Sequence, residues 1–219
     1  MTSIVKGFIF DMDGTICDNM HFHLPVWERV VLEMGGNLQG DDLLKELYGK
    51  NEDIVNRIFG KGKFTSEEAN KWGDYKEALY REIYKGKIDA VPGLHDFLEQ
   101  AKAAGIKIGL GTAGIHENIH FTLEELDIAH YFEALVGKND VTHSKPDPET
   151  FLMCASKLGL NPDECIVFED VPKGVECAER AGMRCVVVNT HHDVIEFGHH
   201  EKIIRFIKDF TQLTPADLL

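Results

Sequence analysis

The first apolar run of the sequence is short and stops abruptly at two acidic residues. Phe8-Ile9-Phe10 is aromatic and β-branched, which is typical of a buried strand, and Asp11 and Asp13 follow it beside Gly14. In open parallel α/β sheets, ligands bind outside the carboxyl ends of the strands. The acidic pair is therefore placed for chemistry, although an ordinary acidic turn explains these residues equally well when they are taken alone.

Three later apolar runs also end beside groups that can do chemistry. They are the run at 107–111 followed by Thr112, the run at 134–137 followed by a loop with Lys145, and the run at 165–168 followed by Glu169 and Asp170. Helical patterns separate the runs, which predicts a doubly wound, mostly parallel α/β sheet. Parallel strands end at one edge of a sheet, so we expect these side chains to meet there.

The stretch 18–87 contains helical patterns and no convincing strand, and the stretch 86–93 is typical of a linker. This organisation predicts an α/β catalytic core made of residues 1–17 and 88–219, interrupted by a helical cap at 18–87. One predicted cap helix begins at a Thr65-x-x-Glu68 capping box. Lys76 falls in the apolar stripe of that helix, where a lysine either extends its ammonium group to water or faces a cleft that binds an anion.

Four motifs in this order resemble those of the haloacid dehalogenase (HAD) superfamily: Asp11-Met-Asp-Gly-Thr15, Thr112, Lys145-Pro-Asp147 and Phe168-Glu-Asp170. The resemblance spans nearly the whole chain. Asp18, His23 and Trp27, together with Ala181-Gly-Met183, resemble the β-phosphoglucomutase-like phosphatases and mutases within that superfamily. The resemblance implies a HAD-like Rossmannoid core, an inserted cap and an enzyme that acts on a small phosphorylated metabolite.

The chemistry of phosphate-monoester cleavage fits the two aspartates of the first motif. The uncatalysed reaction is among the slowest known, and a carboxylate nucleophile divides it into two easier steps. We predict that Asp11 forms an aspartyl phosphate. Asp13, two residues further on, is the predicted acid that protonates the leaving oxygen and the base that then activates water.

An anionic nucleophile beside a phosphate and further carboxylates requires a cation, and an all-oxygen site suits Mg²⁺. We expect Asp11 and Asp170 to bind Mg²⁺ directly and Glu169 to lie in the outer shell; the backbone carbonyl of Asp13 is a further ligand that the resemblance implies. Thr112 is expected to donate a hydrogen bond to a phosphoryl oxygen, and Lys145 to balance charge.

Four residues are predicted to bind substrate: Thr112, Ala113, His23 and Lys76. For His23 the resemblance implies a part in proton transfer and cap closure, whereas packing beside Trp27, one helical turn away, explains it as well. Lys76 lies in a segment that resembles the family's cap helix with a substrate-contacting lysine, which favours the cleft. Asp18 is either the N-cap of a helix or a hinge residue.

Two departures from the mutase pattern favour hydrolysis over phosphoryl transfer. Gly114 stands where the mutases tend to have a phosphate-binding hydroxyl, and Gly49–Asp53 has no arginine to hold a second phosphate, with Lys50 or Lys76 as less specific substitutes. A β-phosphoglucomutase therefore stays the alternative to a phosphatase. A dehalogenase would not need Asp13, and a receiver or binding module would not need a cap.

Composition limits the partners and the compartment. The 219 residues have a formal net charge of −14, which argues against nucleic acid or an anionic membrane as partner. Five cysteines, mostly in apolar stretches, are typical of reduced core residues of a cytoplasmic protein. We find no signal peptide and no apolar run of membrane-spanning length, and we expect a monomer. The histidines at 191–200 match no metal motif and are expected on a solvated face.

Overall fold

A computed structural model describes residues 4–47, 51–190 and 192–219. The chain divides into an α/β unit, Met1–Asp18 with Ile88–Leu219, and a helical unit, Asn19–Lys87. The helical unit contains α1 (Met20–Glu33), α2 (Gly40–Leu44), α3 (Asn51–Phe59) and α4 (Ser66–Tyr84). The helices of the α/β unit are α5 (Leu94–Ala103), α6 (His116–Glu125), α7 (Glu149–Leu158) and α8 (Pro172–Arg180). Its strands are β1 (Gly7–Phe10), β2 (Lys107–Gly111), β3 (Ala134–Val136), β4 (Cys165–Glu169), β5 (Arg184–Val188) and β6 (Ile203–Ile207).

Within the described residues the strands form one parallel sheet in the order β3-β2-β1-β4-β5-β6. This confirms the predicted doubly wound α/β fold. The chain builds outward from β1 to β2 and β3, and then returns to place β4 on the other side of β1. The strand order therefore reverses between β1 and β4. In such sheets the crevice at this reversal is where ligands bind.

Strand β1 is buried on both faces, as the unbroken apolar run predicts. On one face Phe8 and Phe10 pack in an aromatic cluster with Phe97, Phe168 and Phe210. The rings of Phe10 and Phe168, which are partners across β1 and β4, are stacked with centroids 4.5 Å apart. Ile9 points to the other face, into a core formed largely by α7, α8 and the strands. The two strands that end at the crevice, β1 and β4, are thus packed on both faces of the sheet.

The five cysteines are all buried, as predicted for core residues, and none forms a disulfide. Burial raises the pKa of the Cys154 and Cys177 thiols to about 12. Since the thiolate is the reactive form, these thiols are chemically inert.

Element boundaries differ from the sequence prediction by one or two residues. The apolar run at 165–168 continues as β4 to Glu169, and the run at 134–137 forms β3 only as far as Val136. The short apolar stretch at 203–207 forms the last strand, β6. Asn19, rather than Asp18, occupies the N-cap position of α1, so capping does not explain Asp18. Among the described residues no helix has the length and apolar character that crossing a bilayer requires.

The stacked pair of Phe10 and Phe168 supports the two strands that carry the acidic residues. We expect Phe10→Ala to lower the free energy of unfolding of the α/β unit by about 3–5 kcal/mol, because it removes a fully buried ring from the cluster. Urea denaturation measures this change. Ile195→Ala is the matched control, since Ile195 is 87% exposed and its truncation leaves no cavity. Equal losses in the two variants would contradict the prediction.

Candidate active site

The segment Asp11–Cys17 is a tight loop at the end of β1. The backbone N–H of Asp11 donates to the carbonyl of Phe168 and thereby extends the pairing of β1 with β4. The carbonyl of Met12 then accepts from the N–H groups of Thr15 and Ile16, which closes a single turn. Gly14 adopts a φ of +81°, in the left-handed region that favours glycine. Asp11 therefore leaves the strand directly into the crevice.

Two residues of this loop hold Asp170, and sequence reasoning gave neither of them that role. The hydroxyl of Thr15 donates to Asp170 Oδ1 at 3.2 Å, and Thr15 is fully buried. Gly14 lies against the same carboxylate so closely that a β-carbon at this position would overlap Asp170 Oδ2. The only signal in the sequence is that Gly14 and Thr15 directly follow Asp13.

Lys145 lies at the centre of the site. Its ammonium nitrogen donates to Asp11 Oδ1 and to Glu169 Oε1, both at 2.6 Å, and it lies 4.5 Å from the centroid of the Phe151 ring. The Lys145 side chain is 10% exposed and that of Glu169 is fully buried. The loop after β3 thus brings a cation back to the ends of β1 and β4, as the strand-end argument predicted.

The charges of the site are strongly coupled. Burial raises the pKa of Asp11 to about 7, and Lys145 opposes this shift while Glu169 and Asp13 add to it. Burial, together with Glu169 and Asp11, also raises the pKa of Asp170 well above its ordinary value. Burial alone would lower the pKa of Lys145, but its two carboxylate partners outweigh burial and raise it. Negative charge is therefore in excess around a single buried ammonium group.

The donor set fits a magnesium ion. Asp11, Glu169 and Asp170 are buried, and each offers a carboxylate oxygen within 4.8 Å of the others. Hard oxygen donors and uncompensated negative charge are what Mg²⁺ prefers in proteins. A divalent cation would remove the cost of burying these carboxylates next to one another.

Thr112 follows β2, the strand that pairs with β1, and Asp13 lies two residues beyond Asp11. Thr112 is buried and directly follows β2, where its N–H donates to the carbonyl of Val136. Its hydroxyl oxygen accepts from the N–H of Gly114 at 3.1 Å. Ala113 between them is exposed, and Asp13 is half-buried. The negative charge of Asp13 is close enough to raise the pKa of Asp11.

In the helical unit, Lys76 and His23 form a cluster of their own. The buried Lys76 ammonium donates to Glu77 at 3.0 Å and contacts His23 Nδ1 at 3.0 Å. The ring of His23 is stacked on Tyr80, with centroids 4.6 Å apart. The charge of Lys76 thus already has a carboxylate partner, so Lys76 is not a free cation. Lys50, the other basic residue considered for a second phosphate, lies outside the described residues.

Other polar clusters contribute less to the chemistry. His143, Asp147 and Glu149 also place ligand atoms within 4.8 Å of one another, but Glu149 is already bound by the N–H groups of Thr142 and His143. In the 191–200 segment, His192 pairs with Glu196, whereas His191 lies outside the described residues. Neither group of potential metal ligands found in the described part of the chain involves this segment.

Removal of the Lys145 charge tests the electrostatics. We expect Lys145→Met, measured by urea denaturation in the presence of a chelator, to lose about 3–5 kcal/mol of unfolding free energy, because two buried carboxylates lose their partner. The control is Lys6→Met, since Lys6 pairs with Glu164 on the surface and its own side chain is 56% exposed. A loss at Lys145 no larger than that of the control would show that the carboxylates do not depend on this lysine.

Comparison with known proteins agrees with this geometry. The sequence profile of the haloacid dehalogenase-like hydrolases matches residues 8–188. The chain is 34% identical over 191 residues to the fructose-1-phosphate phosphatase YqaB of Escherichia coli, covering 83% of this chain and 95% of that one. It is 30% identical over 190 residues to the β-phosphoglucomutase of Bacillus subtilis, covering 84% and 83%. The crystal structure of a family IA HAD hydrolase from Entamoeba histolytica has the same fold, with a TM-score of 0.89 at 23% identity over 98% of this chain and 97% of that one. The chain belongs to the haloacid dehalogenase-like hydrolase family.

Proposed function

We propose that this protein is a Mg²⁺-dependent phosphatase that hydrolyses a small phosphorylated metabolite, such as a sugar phosphate, through an aspartyl phosphate on Asp11. The observation that carries the proposal is the buried contact of Lys145 with Asp11 and Glu169 at the reversal of strand order. A relative that is named a fructose-1-phosphate phosphatase supports the substrate class.

In the first step a carboxylate oxygen of Asp11 attacks phosphorus, and the bond from phosphorus to the leaving oxygen breaks. Lys145 holds the other oxygen of Asp11 and so fixes the direction of attack. Asp13 donates its proton to the leaving oxygen, which departs as an alcohol. In the second step Asp13 takes a proton from water, the water oxygen attacks phosphorus, and Asp11 is released together with inorganic phosphate.

The residues that would hold Mg²⁺ are Asp11 and Asp170 directly, Asp13 through its backbone carbonyl, and Glu169 in the outer shell. When bound, the ion would neutralise charge on the phosphoryl group and on Asp11. Glu169 suits the outer position because one of its oxygens binds Lys145 and the other accepts two backbone N–H groups. Thr15 keeps the Asp170 carboxylate oriented.

The phosphoryl oxygens would be bound by Thr112 and by the backbone N–H of Ala113. A hydroxyl group has one hydrogen to donate and lone pairs that accept. Because the N–H of Gly114 occupies an acceptor position on Thr112, the hydroxyl hydrogen is available for the phosphate. Donors fixed in this way stabilise charge that develops in the transition state.

The helical unit is the proposed cap, with His23 and Lys76 as substrate contacts. The pair of Lys76 with Glu77 favours a hydroxyl-bearing substrate group over a second phosphate, because much of the lysine charge is already balanced. This argues for a monophosphate substrate.

A β-phosphoglucomutase remains the second candidate, since a relative of 30% identity has that name. A mutase must keep its intermediate and hold a bisphosphate at both ends. Gly114 offers no hydroxyl for that purpose, and a β-carbon there would lie 3.0 Å from Met12 Cε. Hydrolysis needs no second phosphate-binding group and is therefore the preferred reaction.

The products decide between the two reactions. We expect release of inorganic phosphate from a panel of sugar monophosphates and p-nitrophenyl phosphate, dependent on Mg²⁺ and lost to background in Asp11→Asn, which removes the nucleophile but keeps its shape. With β-glucose 1-phosphate, phosphate should form faster than glucose 6-phosphate in a coupled dehydrogenase assay. Glucose 6-phosphate as the dominant product, dependent on a bisphosphate primer, would identify a mutase. Activity retained in Asp11→Asn would refute the mechanism.

The second aspartate is tested separately. Asp13→Asn keeps the backbone carbonyl but loses the acid and base, so kcat should fall roughly 10²–10⁴-fold. Calorimetric titration with Mg²⁺ should show nearly unchanged affinity. Weaker Mg²⁺ binding with a normal rate at saturating Mg²⁺ would mean that Asp13 is a ligand and not the acid–base group.

A further inference from the structure

The Glu169 carboxylate is enclosed on several sides, and its contact with Lys145 is only one of these contacts. Glu169 is the last residue of β4 and is fully buried. Its Oε1 accepts from Lys145, and its Oε2 accepts from the backbone N–H groups of Asp170 and Val171 at 2.9 and 3.1 Å. Both carboxylate oxygens therefore have fixed partners.

The two backbone donors lie immediately before α8. Val171 is the N-cap of this helix, and the partial positive charge at a helix N-terminus stabilises a carboxylate. The side chain of Glu169 thus turns back against the first turn of the helix that follows its own strand.

The third residue of α8, Gly174, completes the enclosure. A β-carbon at this position would overlap the carboxyl carbon and both oxygens of Glu169. Gly174 is helical, buried and not among the glycines with positive φ, so its backbone conformation does not call for glycine. Glycine inside a helix is less favourable than alanine. Glycine is accounted for at position 174 by the Glu169 carboxylate, which occupies the space that a side chain would need.

We propose that Gly174 is a positioning residue of the active site: its bare Cα makes room for the Glu169 carboxylate, which in turn holds the Lys145 ammonium against Asp11. The proposal deepens the proposed function and rests on it for its catalytic consequence. The structural part of the proposal is that residue 174 must lack a side chain only because Glu169 occupies that space. This part does not depend on the reaction.

Activity is the first readout. Gly174→Ala should lower kcat/KM for p-nitrophenyl phosphate about 10–100-fold, as is typical when a partner of a metal-site residue is displaced. Lys173→Ala is the matched control, because Lys173 is the exposed neighbour in the same helical turn and should leave the rate unchanged. An unchanged rate in Gly174→Ala would overturn the proposal.

The decisive readout is the sign of the change in Tm that Gly174→Ala causes. It is measured without substrate in two backgrounds, the wild-type protein and Glu169→Ala. In the wild-type background Gly174→Ala should lower Tm or prevent folding, because the added methyl group displaces a buried carboxylate. In the Glu169→Ala background the space is free, and the same change should raise Tm by about 2–4 °C through helix propensity alone. A double variant that is less stable than Glu169→Ala, or that fails to fold where the single variant folds, would overturn the proposal.

The two readouts also separate this proposal from the proposed function. If the wild-type protein has no phosphatase activity but the sign of the Tm change reverses as described, the positioning role stands and the assigned reaction falls. If the wild-type protein is active and the sign does not reverse, the reaction stands and the role of Gly174 falls.

Discussion

The ammonium group of Lys145, buried among carboxylates, is the interaction on which the rest of the site depends. It binds Asp11 and Glu169 at 2.6 Å, while Asp170 lies in the same cluster. Burying several carboxylates together is costly unless cations and hydrogen-bond donors compensate them. One lysine compensates only part of the charge, and this shortfall explains why the site is suited to bind a divalent cation.

The fold supplies the rigidity that such a cluster needs. Asp11 and Glu169 emerge from adjacent central strands whose Phe10 and Phe168 rings are stacked below them. The reversal of strand order between β1 and β4 leaves a crevice there, with loops from both halves of the sheet around it. Backbone groups do much of the positioning, since the Met12 carbonyl closes the first loop and the N–H groups of the two residues before α8 bind Glu169. Catalytic groups held by strands and helix ends lose little freedom when substrate binds.

The same geometry relates hydrolysis to phosphoryl transfer. In the proposed mechanism both reactions would begin with phosphorylation of Asp11, and they would differ in whether water or a substrate hydroxyl takes the phosphoryl group. The α/β unit contains the groups common to both. In the proposed function the choice would depend on the substrate contacts, because Gly114 lacks a hydroxyl and the Lys76 charge is paired with Glu77. A family relationship alone cannot make that choice, because phosphatases and a mutase are both relatives of this chain.

The sequence is sufficient to predict the alternation of strands and helices, the parallel sheet and the meeting of five polar residues at strand ends, because strand periodicity and strand-end polarity are local patterns. These residues are Asp11, Thr112, Lys145, Glu169 and Asp170. The sequence also left open whether Asp18 caps a helix, and the structure answered that by placing Asn19 at the N-cap. The folded chain was needed to find that Lys145 contacts Glu169 as well as Asp11, that Thr15 and Gly14 contact Asp170, and that Gly174 leaves room for Glu169. These contacts join residues that are distant in the chain or depend on the absence of a side chain. No periodic pattern encodes such contacts, since they arise from the close packing of one element against another.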